Sequence, residues 1–265
     1  MLVQYASDLH LEMPDNFRHV LSEGGLTPKG GVLLLAGDIA PLQDLKRYDA
    51  FWDWCSERFA RTLFVPGNHD WYGAWPDASV LAQPLRLEIR SNVLCLNNAV
   101  ERIDGVDFVC STLWSRIDPV FAAAIGRVLL DFHEIRFGGA LLTTEAFNQA
   151  FEASWVFIQR AVNASDASRI VVATHHLPSW AAVADQHKGS PLTSGFATEL
   201  GGWIAQSRVD AWIYGHSHAS VETAVGRTLL KSNQLGYLSM GEGGDFVKDK
   251  CLTLGERKAP QGTLS

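Results

Sequence analysis

The chain has 265 residues, 47% hydrophobic and 19% charged, a balance that can bury a sizeable core and excludes disordered and fibrous classes. Its 22 Lys plus Arg against 29 Asp plus Glu leave a formal net charge of -7, which disfavours a broad electrostatic grip on nucleic-acid phosphates. Residues 2–6 open the chain as a short β-rich run with no basic region leading into an apolar stretch, so no export signal is read. The dispersed Cys55, Cys95, Cys110 and Cys251 form no C-x-x-C pair, which suits reduced thiols and a cytoplasmic location.

Similar apolar runs at 32–36, 63–65, 93–96, 106–110, 170–173 and 211–214 read as strands buried on both faces. Between them, 42–58 and 143–163 carry apolar residues near helical spacing, as amphipathic helices covering a sheet would. The stretch from about 111 to 142 is irregular, and is expected to be either a surface insertion or a wall over an active site. Late in the chain, 220–225 and 228–231 flank a Gly226-Arg227 turn, which predicts a hairpin and hence mixed sheets. No apolar run approaches the ~20 residues a membrane span needs. With no repeat and no linker composition, one domain over 1–265 is expected, and the oligomeric state is not legible.

Five small clusters each follow a predicted strand: Asp8-Leu9-His10, Gly37-Asp38, Gly67-Asn68-His69-Asp70, Thr174-His175-His176 and Gly215-His216-Ser217-His218. In an α/β sheet the carboxyl ends of strands form the ligand crevice, so these clusters should converge. Singly they are weak: Asp8, Asp38 and Asn68 could cap helices or form Asx turns, and nine histidines make one chance H-x-H unsurprising. Together they are specific. Imidazole, carboxylate and amide oxygen suit borderline cations such as Mn, Fe or Zn, and seven donors suit two ions.

This ordered set resembles the calcineurin-like metallophosphoesterase superfamily, whose signature runs D-x-H, G-D, G-N-H-D/E, H and G-H-x-H. The resemblance implies a four-layer αββα sandwich of two mixed sheets flanked by helices. It further implies that Asp8, His10 and His218 hold one metal ion, Asn68, His175 and His216 the other, that Asp38 bridges them, and that His69 is catalytic. Two such cations clamp the charge of an in-line phosphoryl substitution and acidify a shared water into a nucleophile. His69 is then placed to stabilise the phosphoryl oxygen or protonate the leaving group. The protein serine/threonine phosphatases continue their second motif as G-D-x-x-D, whereas this chain reads Gly37-Asp38-Ile39-Ala40-Pro41; the missing acid leaves orientation of His69 to Asp70 or another group.

The expected function is therefore hydrolysis of a phosphoester, with a lean to a phosphodiester of small-molecule or nucleotide type and no membrane partner. The alternatives are a nuclease with the same metal centre and a non-catalytic scaffold that retains the fold. His176, next to His175 and pointing elsewhere, is read as a hydrogen-bonded structural histidine. Trp71 and Tyr72 are expected to pack beneath the loop or to stack on a planar leaving group. Trp114, Arg116, His133 and Arg136 are candidates for a substrate wall, with Arg suited to a second anionic group.

Overall fold

The computed structural model describes residues 1–73 and 81–255. Its strands, in chain order, are β1 (Leu2–Ala6), β2 (Val32–Ala36), β3 (Arg61–Val65), β4 (Leu85–Arg90), β5 (Val93–Asn97), β6 (Ala99–Ile103), β7 (Val106–Ser111), β8 (Arg136–Phe137), β9 (Ala140–Leu141), β10 (Arg169–Thr174), β11 (Ala211–Tyr214), β12 (Thr223–Val225), β13 (Thr228–Ser232) and β14 (Cys251–Thr253). Helices α1 (Pro14–Val20), α2 (Asp49–Arg58), α3 (Ala122–Val128), α4 (Asp131–Glu134), α5 (Thr144–Ala164) and α6 (Gly201–Gln206) connect them.

Two six-stranded sheets result, ordered β14-β1-β2-β3-β5-β4 and β12-β13-β11-β10-β7-β6. Each has four parallel strands at its centre and one antiparallel strand at either edge. The period-2 alternation of a strand explains how both faces of β2 are buried. Val32, Leu34 and Ala36 join Tyr5, Leu63, Phe108, Val171 and Ile213 in one apolar layer drawn from both sheets. Leu33 and Leu35 belong instead to the outer core with Phe51, Trp52, Phe147 and Ile158. Two mixed sheets flanked by helices are the architecture expected above.

Helix α5 shows how sequence sets an element. The Thr143 hydroxyl caps it by accepting from the Ala146 N–H at 3.2 Å, as an N-cap residue should. Phe147, Phe151, Ser154, Ile158 and Val162 then form its buried stripe, at the three- and four-residue spacing of one helical face. The expected helix over 42–58 is instead a 3-10 stretch, Leu42–Tyr48, broken at Asp44 (φ -136°) and followed by α2. Trp52 from α2 stacks on Phe64 of β3 at 5.6 Å. Among the described residues, no helix is long and apolar enough to cross a membrane.

Candidate metal centre

The carboxyl ends of β1, β2 and β3 in one sheet meet those of β10 and β11 in the other. All five clusters follow these ends. Five prospective donor residues hold left-handed backbones there: Asp8 (φ 55°), His10 (φ 45°), Asp38 (φ 55°), His216 (φ 78°) and His218 (φ 51°). Such conformations cost a non-glycine residue roughly 1–2 kcal/mol each, and they persist where surrounding structure over-determines them, typically at functional sites. Glycine is required beside them for space. A Cβ on Gly37, itself at φ +92°, would lie 2.1 Å from His175 Nδ1, and one on Gly67 would lie 2.1 Å from Asp38 Oδ1. The strain is measurable at His218. Metal-free His218→Gly should be more stable than His218→Ala by about 1 kcal/mol, the reverse of the usual order; equal unfolding midpoints would show that the turn is unstrained.

Of three groups among the described residues whose donor atoms lie within 4.8 Å of one another, one is His10, Glu12 and His69, and two gather the expected ligands: Asp8, His10, Asp38 and His218, and Asp38, His175 and His216. Asp38 belongs to both. His10 Nε2 and His218 Nε2 face each other at 3.1 Å, while His175 Nε2 lies 3.0 Å from Asn68 Oδ1, 3.1 Å from His216 Nδ1 and 3.3 Å from Asp38 Oδ2. Adjacent ligands held ~2.0–2.1 Å from one ion stand about 3.0–3.4 Å apart. The spacing matches.

Their orientation is fixed from behind. His10 Nδ1–H donates to Glu12 Oε1 at 2.8 Å, His218 Nδ1–H to Glu242 Oε2 at 2.7 Å and His175 Nδ1–H to the Ala36 carbonyl at 2.9 Å. Each leaves Nε2 to face the cluster, which is how metal-bound histidines are held elsewhere. Asn68 Nδ2 donates to Asp131 Oδ1 at 2.7 Å, turning its amide oxygen toward His175. Asp8 accepts from the Ser7 hydroxyl at 2.5 Å and the His216 N–H at 2.9 Å.

The electrostatics call for a cation. Burial would raise the Asp38 carboxyl, but His175, His69 and His10 hold it well below the usual range. Burial would lower His175, yet Asp38 raises it to about 9. His216, lowered well below its ordinary value by burial and then by His176 and His175, is the neutral imidazole that ligation requires. The charged Asp38 draws a proton onto His175, and a divalent ion would displace that proton and take its place beside the carboxylate.

Asp70 does not orient His69. Its Oδ1 accepts from the Ile39 and Ala40 N–H groups and its Oδ2 from those of Asp38 and Gly67, at 2.7–2.9 Å. Burial and then the Asp38 charge push this carboxyl up; however, donors on both oxygens leave no room for a proton, so we assign the carboxylate. It staples the loop after β2 to the loop after β3. Asp70→Asn would aim an NH2 at two N–H donors, and should cost about 3 kcal/mol, read as a lower denaturant midpoint; an unchanged midpoint would refute the staple.

His69 is bracketed instead by Glu12 Oε1, 3.4 Å from Nδ1, and the Tyr237 hydroxyl, 3.1 Å from Nε2. Its ring stacks on Tyr72 at 4.3 Å, and the Tyr72 hydroxyl donates to Asp131 Oδ1 at 2.6 Å. Glu12, Asp131, Tyr237 and Glu242 were missed by the sequence reading. Glu12 carried a signal, two residues beyond His10; Tyr237 and Glu242 carried none.

Several wall candidates lie elsewhere. Trp71 and Trp114 are fully buried, the latter against Phe147 and His176. Arg116 sits 3.7 Å from Glu152, His133 Nε2 lies 3.2 Å from the Arg127 carbonyl, and Arg136 is exposed; all are outside the residues lining the metal cavity. From the 111–142 stretch, Val128, Leu129, Leu130 and Asp131 line it. His176 is buried as expected, but neither ring nitrogen has a hydrogen-bond partner among the described residues. It packs instead on His216 at 4.2 Å.

A family model described as Calcineurin-like phosphoesterase matches residues 3–220. The chain is 25% identical over 259 residues to Uncharacterized protein L509 of Acanthamoeba polyphaga mimivirus, covering 89% of this chain and 91% of that protein. The solved structure of the phosphopantetheinyl hydrolase PptH from Mycobacterium tuberculosis superposes with a TM-score of 0.64 at 17% identity, over 89% of each chain. A dimetal phosphatase from Danio rerio gives 0.44 at 12% identity, over 88% of this chain and 87% of that one.

Proposed function

Because the chain belongs to the calcineurin-like phosphoesterase family and is thus a metal-dependent phosphoesterase, we propose that it hydrolyses a phosphodiester of small-molecule or nucleotide type. In this reading Asp8, His10 and His218 hold one divalent ion, Asn68, His175 and His216 a second, and Asp38 bridges them. The observation that carries it is the pair of donor groups overlapping on Asp38. When bound, the two ions supply charge neutralisation at the phosphate and an activated water, with Mn, Fe and Zn as the candidates.

The protein's own residues supply the rest. Without ions, burial lowers the His69 imidazole but Asp38 and Glu12 raise it to about 9; bound ions offset the Asp38 charge, and Glu12 beside Nδ1 stays in place to favour the protonated ring. The His69 side chain is 16% exposed and lines the metal cavity. As the water oxygen bonds to phosphorus and the phosphorus–oxygen bond to the leaving group breaks, His69 gives its proton to the departing alkoxide. Glu12 and Tyr237 hold the ring for that transfer. The proton released by the water restores His69 for the next turnover.

Among the described residues no Lys or Arg lines the cavity. That favours the single negative charge of a diester over a dianionic monoester and over polyanionic nucleic acid. The four cysteines are free thiols, in keeping with the cytoplasm as the proposed compartment. Protein reconstituted separately with Mn, Fe and Zn should turn over bis(p-nitrophenyl) phosphate faster than p-nitrophenyl phosphate; activity on the monoester alone would overturn the diester reading.

A further inference from the structure

An apolar cavity of about 170 Å³ opens beside the metal cavity, lined by Leu177, Val183, Leu192 and Phe196 together with His187 and Ser217. Three of these residues, His187, Phe196 and Ser217, also line the metal cavity. Ser217 lies between His216 and His218, and the Phe196 ring rests 4.7 Å from the His216 ring. The two spaces therefore adjoin at the prospective ligands. The walls are pre-formed, because Leu177 N–H donates to the Phe196 carbonyl and Thr198 N–H to the Leu177 carbonyl, both at 3.1 Å. On the far side, a second cavity shares Val183, Ser190 and Thr193 and reaches the exposed Phe121 and Trp180. Adjoining spaces thus run outward from the metal site, the inner one mostly apolar and the outer one mixing Phe121, Trp180 and Val183 with Asp118 and Lys188.

Resting on the phosphoesterase reading above, we infer that this annex receives the organic group of the substrate, and that the group is uncharged, predominantly apolar and at least the size of one ring. A dry apolar cavity of ~150 Å³ holds one benzene ring, so the annex has room for such a group and little for its hydration shell. A charged group would give up water there for walls that are mostly apolar, with His187, Ser190, Thr193 and Ser217 as the polar side chains and no Lys, Arg, Asp or Glu among the lining residues to pair with it. Specificity would then come from the annex while the phosphate is held at the metal site, the division of labour common in small-molecule pockets.

Non-hydrolysable phosphonates test this without requiring turnover. Methylphosphonate, benzylphosphonate and carboxymethylphosphonate are titrated by calorimetry into the metal-loaded protein and into the Leu192→Trp variant, whose larger side chain fills the annex. Benzylphosphonate should bind the parent at least roughly tenfold more tightly than methylphosphonate, the gain from burying one ring, and carboxymethylphosphonate should show no gain. Leu192→Trp should erase the benzyl advantage while methylphosphonate affinity stays within about twofold. Val183→Ala, which enlarges the annex, should instead favour a naphthylmethyl group, so a misfolded tryptophan variant leaves the question open to measurement. If methylphosphonate binds and benzylphosphonate binds no better, or if the advantage survives in Leu192→Trp, the annex inference falls alone. If no phosphonate binds the metal-loaded protein, the proposed function falls and the inference falls with it.

Discussion

Asp38→Ala is expected to lower phosphodiester turnover on the order of 10,000-fold, equivalent to about 5.5 kcal/mol of lost transition-state stabilisation. Among the described residues, Asp38 alone belongs to both groups of expected ligands. Its Oδ2 lies 3.3 Å from His175 Nε2 and 3.8 Å from His10 Nε2, so removing it takes a ligand from both ions in one step. Its Oδ1 also accepts the His69 N–H at 2.9 Å, which couples the loop carrying the proton donor to the same carboxylate. Asp38→Asn separates these roles. It offers an oxygen to the His69 N–H but no charge to either ion, and should be nearly as inactive as the alanine variant. Unfolding curves on both variants exclude global loss of structure as the cause. Rates near the parental value in a folded Asp38→Ala protein would remove the basis of the site.

The second large effect belongs to His69. His69→Gln should reduce turnover of alkyl phosphodiesters roughly 100- to 10,000-fold, the usual contribution of a positioned general acid, with metal content unchanged. The loss should shrink with p-nitrophenyl esters, whose leaving group departs with little protonation. The pH profile follows from the same charge arrangement. Glu12 favours the protonated imidazole and the protonated form acts, so the rate should fall as pH rises through the His69 pKa, which in the metal-loaded protein lies below the ion-free value of about 9 because the ions offset the Asp38 charge. The variant should lack this alkaline limb. Equal losses on both ester classes, with the limb retained, would assign His69 a role other than proton donation.

The parts of this molecule legible in the sequence were those governed by short-range chemistry. Central strands such as β2 and β10 announce themselves because burial on both faces demands unbroken apolar runs. The edge strands β4 and β6 went unread because they alternate half-buried and exposed residues, a weaker pattern when Arg86, Glu88 and Arg102 occupy the wet face and Glu101 sits on the half-buried one. Likewise, the convergence of Asp8, His10, Asp38, Asn68, His175, His216 and His218 could be read from cluster order, since each sits where its strand ends. The residues that aim them could not. Glu242 reaches His218 from 24 positions downstream, and Asp131 reaches Asn68 across 63, and no local pattern encodes such contacts. Asp70 was named with its task left open, because adjacency to His69 says nothing about which way a carboxylate points after a tight turn. Its actual partners are four backbone N–H groups.

Anomalous diffraction from crystals of the Mn-loaded protein tests the central claim most directly. Two anomalous peaks should flank the Asp38 carboxylate, one contacting Asp8, His10 and His218 and the other Asn68, His175 and His216. A single peak, or peaks remote from Asp38, would contradict the account.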